Sequence, residues 1–260
     1  MSFYGKNFIY NGKSSELYGL VCASTQGGGE ILSSAGSNIT ILEEYINRRE
    51  TPYFYGVSFP EKLQFDISFY SETVIPRQKV SEIEKWLFGL LEYKQFQVIQ
   101  DDMEGIYYNC LFINPNVSSV GNEVIGFQAT CVCDSPWAWG EEITYTKTNA
   151  TGAISILNRS DNARYTKPTI TLTFTSNQEE VSIVNTSDTG STAMIFEDVV
   201  IGEIIEINCD LRTISSNEEL IVERFNGKYM YLIPDINTIT ITGTVGTFEV
   251  TYTPAKKVGS

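Results

Sequence analysis

The chain has 260 residues, a formal net charge of −14 and no histidine. The missing histidine excludes Ser-His-Asp and Cys-His catalysis and histidine-based zinc sites, and the acidic excess argues against binding to nucleic-acid phosphates. Five cysteines without a framework spacing indicate synthesis in a reducing compartment, and we expect neither an export leader nor a membrane span.

Residues 3–22 predict a first strand pair, with a hairpin turn at Asn11 and Gly12. The Gly- and Ser-rich stretch Thr25–Asn38 that follows predicts an exposed loop. Its run of Gly27, Gly28 and Gly29 lacks the Lys-Ser/Thr pair that follows the glycines of a phosphate-binding loop. Because exposed loops often become ordered on assembly, we expect these glycines to contact a neighbouring subunit.

The next predicted strands are Ile39–Leu42, Tyr53–Phe59 and Leu63–Tyr70. Between the first two, Arg48 and Arg49 form the densest basic point in this half of the chain. Two interpretations stay open here: a solvated turn, or a contact that forms ion pairs with an acidic neighbouring subunit.

The spacing of apolar residues predicts one amphipathic helix over Pro76–Leu91. Pro76 suits a first helical position. The predicted buried side chains are Val80, Ile83, Trp86, Leu87, Leu90 and Leu91. A single helix of this kind is expected to cover one face of a sheet.

Strands are then predicted over Phe96–Gln100, Ile106–Ile113 and Glu123–Cys133, with the turn-rich NPNVSSVGN joining the last two. A regular hairpin of this kind would place Cys110 opposite Phe127. Two interpretations exist for Cys131-X-Cys133, metal ligands or small buried hydrophobes. The second is favoured because no other closely spaced pair supplies the rest of a metal site.

The stretch Phe127–Trp139 contains a change in pattern. Phe127, Ala129, Cys131 and Cys133 alternate as the buried face of a strand. The pattern then stops at turn chemistry, Asp134 and Pro136, before two tryptophans, Trp137 and Trp139. We interpret these four residues as a seam between two domains, 1–139 and 140–260.

The second half predicts an antiparallel β-sandwich, because its strand-like runs are short and separated by turn signals. These runs are Ile143–Lys147, Ala153–Leu157, Thr169–Thr175, Val181–Thr186, Ala193–Glu197, Ile204–Cys209, Leu220–Arg224, Tyr229–Ile233, Thr238–Thr242 and Thr247–Thr253. The fold class is therefore mainly β, with two domains and one helix in the first.

No catalytic, metal or cofactor site is predicted, because the acidic doublets at residues 101–102, 179–180 and 218–219 lie in turn-like contexts. A carbohydrate-binding second domain is an alternative, since such a site needs an aromatic platform with polar side chains. That domain contains no tryptophan, and its candidate tyrosines are Tyr165, Tyr229, Tyr231 and Tyr252. The last three are predicted to pack within strands.

Four stretches together resemble the distal tail proteins of long-tailed, non-contractile bacteriophages. They are FIYNGKSSELYGL, RRETPYFYGV, EKWLFGLL and GFQATCVCDSPWAW, in this order over the first 139 residues. The second half is similar, mainly in strand pattern, to the galectin-like sandwich that follows in those proteins, although it lacks the histidine and tryptophan of a galectin sugar site.

The resemblance implies a structural, non-enzymatic component of the phage tail tip or baseplate. It implies a homo-hexamer, a ring hub in which the first domains surround a channel through which DNA passes. It also implies contacts with the tail tube protein, the tail-tip protein and the receptor-binding protein, and a place in the virion after assembly in the host cytoplasm.

Overall fold

The computed structural model describes residues 5–23, 40–47, 49–58, 62–162, 165–218 and 221–257. The chain forms two compact units, one of residues 1–139 with 256–260 and the other of residues 140–255. Strands predominate in both units, as predicted for a mainly β protein. None of the helices in the described part of the chain is long and apolar enough to cross a membrane.

The first unit consists of strands, one α-helix and two 3-10 turns. Its strands are Phe8–Tyr10 (β1), Lys13–Ser14 (β2), Leu20–Ala23 (β3), Thr40–Glu44 (β4), Tyr53–Ser58 (β5), Gln64–Ser71 (β6), Lys94–Val98 (β7), Tyr108–Val120 (β8), Glu123–Cys133 (β9) and Ala138–Trp139 (β10). The helix α1 spans Arg77–Phe88, and the 3-10 turns span Ser15–Tyr18 and Asp101–Met103.

Seven of these strands form one antiparallel sheet in the order β2-β1-β7-β8-β9-β6-β3. Lys6, just before β1, pairs with Cys22 in β3 through two backbone hydrogen bonds of 3.1 and 2.8 Å. This pair joins β3, at one end of the strand order, to the segment that leads into β1, so the sheet closes on itself through a single bridge. The hydroxyl of buried Ser15 accepts the Phe8 N–H at 3.0 Å, next to the short strand β2.

The core of the first unit lies on the inner face of the closed sheet. The predicted alternation in β9 is confirmed, because Phe127, Ala129, Cys131 and Cys133 are all buried. Helix α1 adds Trp86, whose ring stacks on Phe8 at 5.7 Å between centroids and whose Nε1 donates to the Tyr10 carbonyl at 3.0 Å. The helix therefore packs on this sheet, as predicted.

The helix is shorter than its predicted span. Pro76 is the N-cap residue and not the first helical residue, and Gly89 caps the other end. A glycine suits this position, because the Cβ of any other residue would lie 2.6 Å from the Lys85 carbonyl oxygen. The prediction that Leu91 is buried is wrong, since its side chain is 98% exposed.

The predicted register of β8 and β9 is also wrong. Cys110 lies opposite Cys133, not opposite Phe127, and Val117 occupies the place opposite Phe127. The stretch interpreted as a long turn continues strand β8 to Val120, so the turn is formed by residues 121–122 alone. Two bulges interrupt the pairing of this strand, and the first lies between Ile113 and Asn116 and contains Asn114, which has φ +52°.

The second unit is built from antiparallel strands, and its described residues contain no helix. The strands are Ile143–Asn158 (β11), Thr169–Thr173 (β12), Gln178–Asn185 (β13), Met194–Val199 (β14), Ile204–Asn208 (β15), Thr213–Ser216 (β16) and Asp235–Tyr252 (β17); Ala255–Lys256 (β18) follows at the end of the chain. The strand order is β14-β13-β17-β12-β15-β16, and β11 pairs along β17.

Strand β17 organises the second unit, because its two halves have different neighbours. Its first half pairs with β13 and its second half with β12. An 18-residue strand would extend about 60 Å if it were straight. It contains Gly243, with φ +98°, and its partner β11 has a bulge between Ala150 and Gly152. The strands enclose one continuous core, which agrees with the predicted sandwich.

Several predicted strands of the second unit are revised. The four predicted runs 143–147, 153–157, 238–242 and 247–253 belong to only two long strands, β11 and β17, because bulges and bends replace the expected turns. Strand β16 was not predicted. Residues 221–224 form a turn, and 229–233 have a single bridge, Thr166 with Leu232, so both predicted strands there are wrong.

Candidate functional site

A hairpin of two strands, β4 and β5, forms a separate two-stranded sheet in the first unit. Large apolar side chains are exposed along it: Ile41 58%, Leu42 45%, Tyr53 45%, Phe54 66% and Tyr55 65%. An isolated two-stranded hairpin is marginally stable in water, and contiguous exposed apolar groups mark interaction surfaces. This exposed hairpin is therefore the candidate functional site.

Pairing across the hairpin places apolar and acidic groups side by side. Glu43 lies opposite Phe54, and Ile41 is two residues before Glu43 in the same strand. Ile41, Glu43 and Phe54 therefore share one face. Tyr55 is the extra residue at the register shift between Leu42 and Glu43, and its hydroxyl donates a hydrogen bond to Glu44 Oε2 at 2.9 Å, which raises the pKa of this tyrosine.

The turn of the hairpin contains one of the two predicted contact arginines. The Arg49 guanidinium lies 3.8 Å from the centroid of the Tyr53 ring, a cation–π contact, and its backbone N–H donates to the Ile46 carbonyl at 3.1 Å. Gly27, Gly28, Gly29 and Arg48 lie outside the described residues. The predicted role of all five residues in subunit contact remains a prediction.

The signal for this surface was present in the sequence. The run Tyr53-Phe54-Tyr55 carries three consecutive aromatic residues, with no alternation to polar ones. Sequence reasoning assigned a strand there and singled out the neighbouring arginines, but it did not identify Ile41, Phe54 or Tyr55 as site residues. A strand with aromatic side chains on both faces indicates contact on both faces.

The predicted seam residues are held within the first unit. Asp134 accepts hydrogen bonds from Asn109 Nδ2 at 3.1 Å and Trp139 Nε1 at 3.4 Å. The backbone of Trp139 pairs with Tyr107 through bonds of 2.8 and 2.9 Å. Pro136 and Trp137 are half-buried, and the Trp137 N–H donates to the Ser135 hydroxyl at 3.1 Å. Whether these residues fix the domain arrangement stays a prediction.

The cysteines provide no metal site. All five are buried free thiols. Burial raises the pKa of Cys22 to about 12, and it also raises the pKa of Cys110 and Cys131. Within the described ranges, no group of three or more Cys, Asp or Glu residues could hold a metal ion. The thiols therefore contribute to packing.

Comparisons with known proteins agree on one kind of protein. A family model described as a phage tail protein N-terminal domain matches residues 3–135, and one described as a phage tail C-terminal domain matches residues 137–252. No curated protein sequence matches the chain.

Two solved structures show the same fold over nearly the whole chain. One is the SPP1 Dit protein, described as a paradigm of the hub adsorption apparatus in phages that infect Gram-positive bacteria; it is 14% identical, with a TM-score of 0.68 over 95% of this chain and 98% of that one. The other is from the phage P2 baseplate in its activated conformation, 10% identical, with a TM-score of 0.50 over 96% and 98%. The chain thus belongs to the phage tail protein family and has the distal tail protein fold that its motifs predicted.

Proposed function

We propose that this protein is a structural, non-enzymatic ring component of the phage tail tip, in which six copies form a hub. Its family membership and its fold support a tail component. In this proposal the first unit forms the ring and the second unit is the galectin-like domain. The ring joins the tail tube protein to the tail-tip protein and seats the receptor-binding protein.

The observation that carries the proposal is the exposed hairpin β4–β5. Its apolar side chains would be unfavourably exposed in a permanently monomeric protein. A neighbouring copy can cover them, and a contact between the hairpin and a different surface of the next copy is heterologous. Such a contact generates a closed ring when the rotation per copy closes.

The charge of the chain supports a role around a DNA channel. Each copy carries −14, so a ring of six copies does not adhere to the phosphates of DNA that passes through it. The proposed location is the virion tail tip, after assembly in the host cytoplasm.

The oligomeric state of the purified full chain tests the proposal. We expect light scattering after size exclusion to give a mass near six times 29.1 kDa. Phe54→Ser should shift the protein towards monomer, because it removes an exposed aromatic group from the hairpin. Leu91→Ser is the matched control: this leucine is 98% exposed in the same unit but lies outside the hairpin.

Each result has a defined meaning. A monomer over a wide range of protein concentration contradicts the ring. If both Phe54→Ser and Ile41→Ser leave the hexamer intact, the ring is supported, but the hairpin is not part of its interface. Circular dichroism of each variant establishes that the fold is retained.

A further inference from the structure

A row of aromatic and charged side chains lies at the surface of the second unit, and one of its rings, Tyr231, also packs against the core. The rings of Tyr165 and Tyr231 are 5.7 Å apart between centroids. Tyr165 donates from its hydroxyl to Asp188 Oδ1 at 3.3 Å, and Arg212 Nη2 donates to the Tyr231 hydroxyl at 3.3 Å. The four residues form a continuous row in the order Asp188, Tyr165, Tyr231, Arg212, named here the tyrosine strip.

The sequence left Tyr165 open as a candidate for sugar binding, and the structure changes what is known of the other tyrosine of the strip. Tyr229 and Tyr231 were predicted to pack within a strand, but residues 229–231 are not in a strand. Tyr165 is 49% exposed and Tyr231 is half-buried. Tyr165 therefore offers an accessible aromatic face, and Tyr231 adds the part of its ring that the core leaves uncovered.

Buried amides hold both sides of the strip in place. Asn185, with no exposed surface, donates from Nδ2 to the Tyr231 carbonyl at 2.8 Å and accepts the Ser187 N–H at 3.2 Å, next to Asp188. It also donates to Asn237 Oδ1 at 2.7 Å, and Asn237 is equally buried. Satisfied buried polar networks rigidify the groups that they support. One buried asparagine thus fixes the backbone on both sides of the strip.

The arginine end of the strip is positioned by its backbone. Arg212 has φ +54°, a left-handed conformation that costs free energy for a residue with a side chain. The Tyr229 hydroxyl donates to the Arg212 carbonyl at 2.8 Å, and the Asn208 side chain accepts the Leu211 N–H at 2.9 Å. Among the described residues, only one of the five guanidinium N–H groups has an acceptor. The other donors are available to a ligand.

We propose that the tyrosine strip binds a neutral glycan. The C–H face of a sugar ring packs on the electron-rich faces of aromatic rings such as those of Tyr165 and Tyr231. Each sugar hydroxyl both donates and accepts, so one ligand can donate to the Asp188 carboxylate and accept from the Arg212 guanidinium.

The charges of the described residues around the strip favour a neutral ligand over an anionic one. Asp188 and Arg212 cancel, and the neighbouring Lys167 and Asp210 are paired with each other at 2.8 Å. A chain with a net charge of −14 also does not attract polyanions. This site goes beyond the assembly role proposed above and does not depend on the ring.

Binding of defined sugars to the full chain tests the proposal. The probes are neutral oligosaccharides of hexoses and of N-acetylhexosamines, two to four rings long, measured by saturation-transfer NMR and calorimetry. We expect binding of at least one of them, with its ring protons against the protein. Tyr165→Ala should weaken binding at least tenfold, and so should Arg212→Asn, since asparagine tolerates the left-handed backbone.

Tyr93→Ala is the matched control, because this tyrosine is 38% exposed but lies in the first unit. It should leave binding unchanged, and thermal melting of every variant checks that the fold is retained. Absence of binding for all probes overturns the proposal. If a glycan binds but neither Tyr165→Ala nor Arg212→Asn weakens its binding, the glycan site is not at the tyrosine strip. If inorganic phosphate displaces the bound glycan, the proposal that the strip selects a neutral ligand is wrong.

Discussion

Arg224 holds the carboxylate of Glu203 with two hydrogen bonds, from Nη2 to Oε1 at 2.6 Å and from Nη1 to Oε2 at 3.1 Å. The glutamate is completely buried and also accepts from the Ser216 hydroxyl at 2.8 Å. The same guanidinium donates to the Asp198 carbonyl at 3.0 Å. This ion pair joins the turn at residues 221–224 to the loop before β15.

Removing the negative partner of this pair should destabilise the second unit strongly. Glu203→Gln leaves the largely buried Arg224 charge without its counter-ion, which typically costs about 3–5 kcal/mol. Urea unfolding at pH 7 measures the free energy of unfolding. The exposed pair Lys167–Asp210 provides the control, since Asp210→Asn should have little effect. Equal effects of the two substitutions would contradict the structural role of Glu203.

The same pair predicts a dependence of stability on pH. Burial raises the pKa of Glu203, but hydrogen bonds from Arg224, Ser216 and the Val200 N–H outweigh burial, so the pKa lies below its ordinary value. The stabilisation is therefore fully present above the pKa of an unfolded glutamate, about 4.3, and is lost as the pH falls through the lower pKa of the folded state.

We expect the difference in unfolding free energy between wild type and Glu203→Gln to decrease as the pH falls below about 4.3, the pKa of an unfolded glutamate. Urea titrations of both proteins at several values between pH 7 and pH 3 measure it. A difference that stays constant to pH 3, while both proteins remain folded, would show that Glu203 does not titrate in this range.

The cysteines should resist thiol reagents in the folded protein. Burial raises the pKa of Cys209 to about 12, as it does for Cys22, so the reactive thiolate is scarce at neutral pH. An aromatic disulfide reagent at pH 8 should label the native chain slowly and label all five thiols after denaturation. Rapid stoichiometric labelling of the native protein would show that at least one thiol is accessible.

The tryptophans at the seam should protect the connection between the two units from proteases. Replacing both Trp137 and Trp139 with Ala removes the hydrogen bond to Asp134 and the packing of both rings. Loss of about 1.4 kcal/mol of local stability should speed cleavage near residue 140 about tenfold. Leu91→Ala, at a fully exposed leucine, is the control. Unchanged protease resistance would show that the tryptophans anchor nothing.

The parts of the fold that sequence predicted are those with a strict local period. The alternation from Phe127 to Cys133 and the helical spacing around Trp86 both correspond to buried faces. The turn after Cys110 was misplaced because Asn114 and Pro115 are typical of turns, whereas here a bulge accommodates them within a strand. Bulges depend on the partner strand, which the local sequence does not specify.

The missed features depend on contacts between residues that are distant in sequence. Tyr229–Ile233 has the alternation of a strand, but the side chains of Asn185 and Asn237 occupy its backbone groups instead. Likewise, the strand predicted over Tyr53–Phe59 is present over Tyr53–Ser58, and Phe59 lies outside the described residues. The exposure of this strand depends on where the closed sheet lies. Periodicity identifies an element and not its neighbours.

The backbone pair between Lys6 and Cys22 also affects how readily the first unit can aggregate through open strand edges. The bridge pairs backbone groups at the edge of β3 that would otherwise be open, so fewer groups are left to which another copy could add a strand. Among the described strands of this unit, the hairpin β4–β5 is not part of that closed sheet. In the ring proposed above, copies associate through this hairpin, so that a misassembled contact can separate and form again without unfolding the closed sheet.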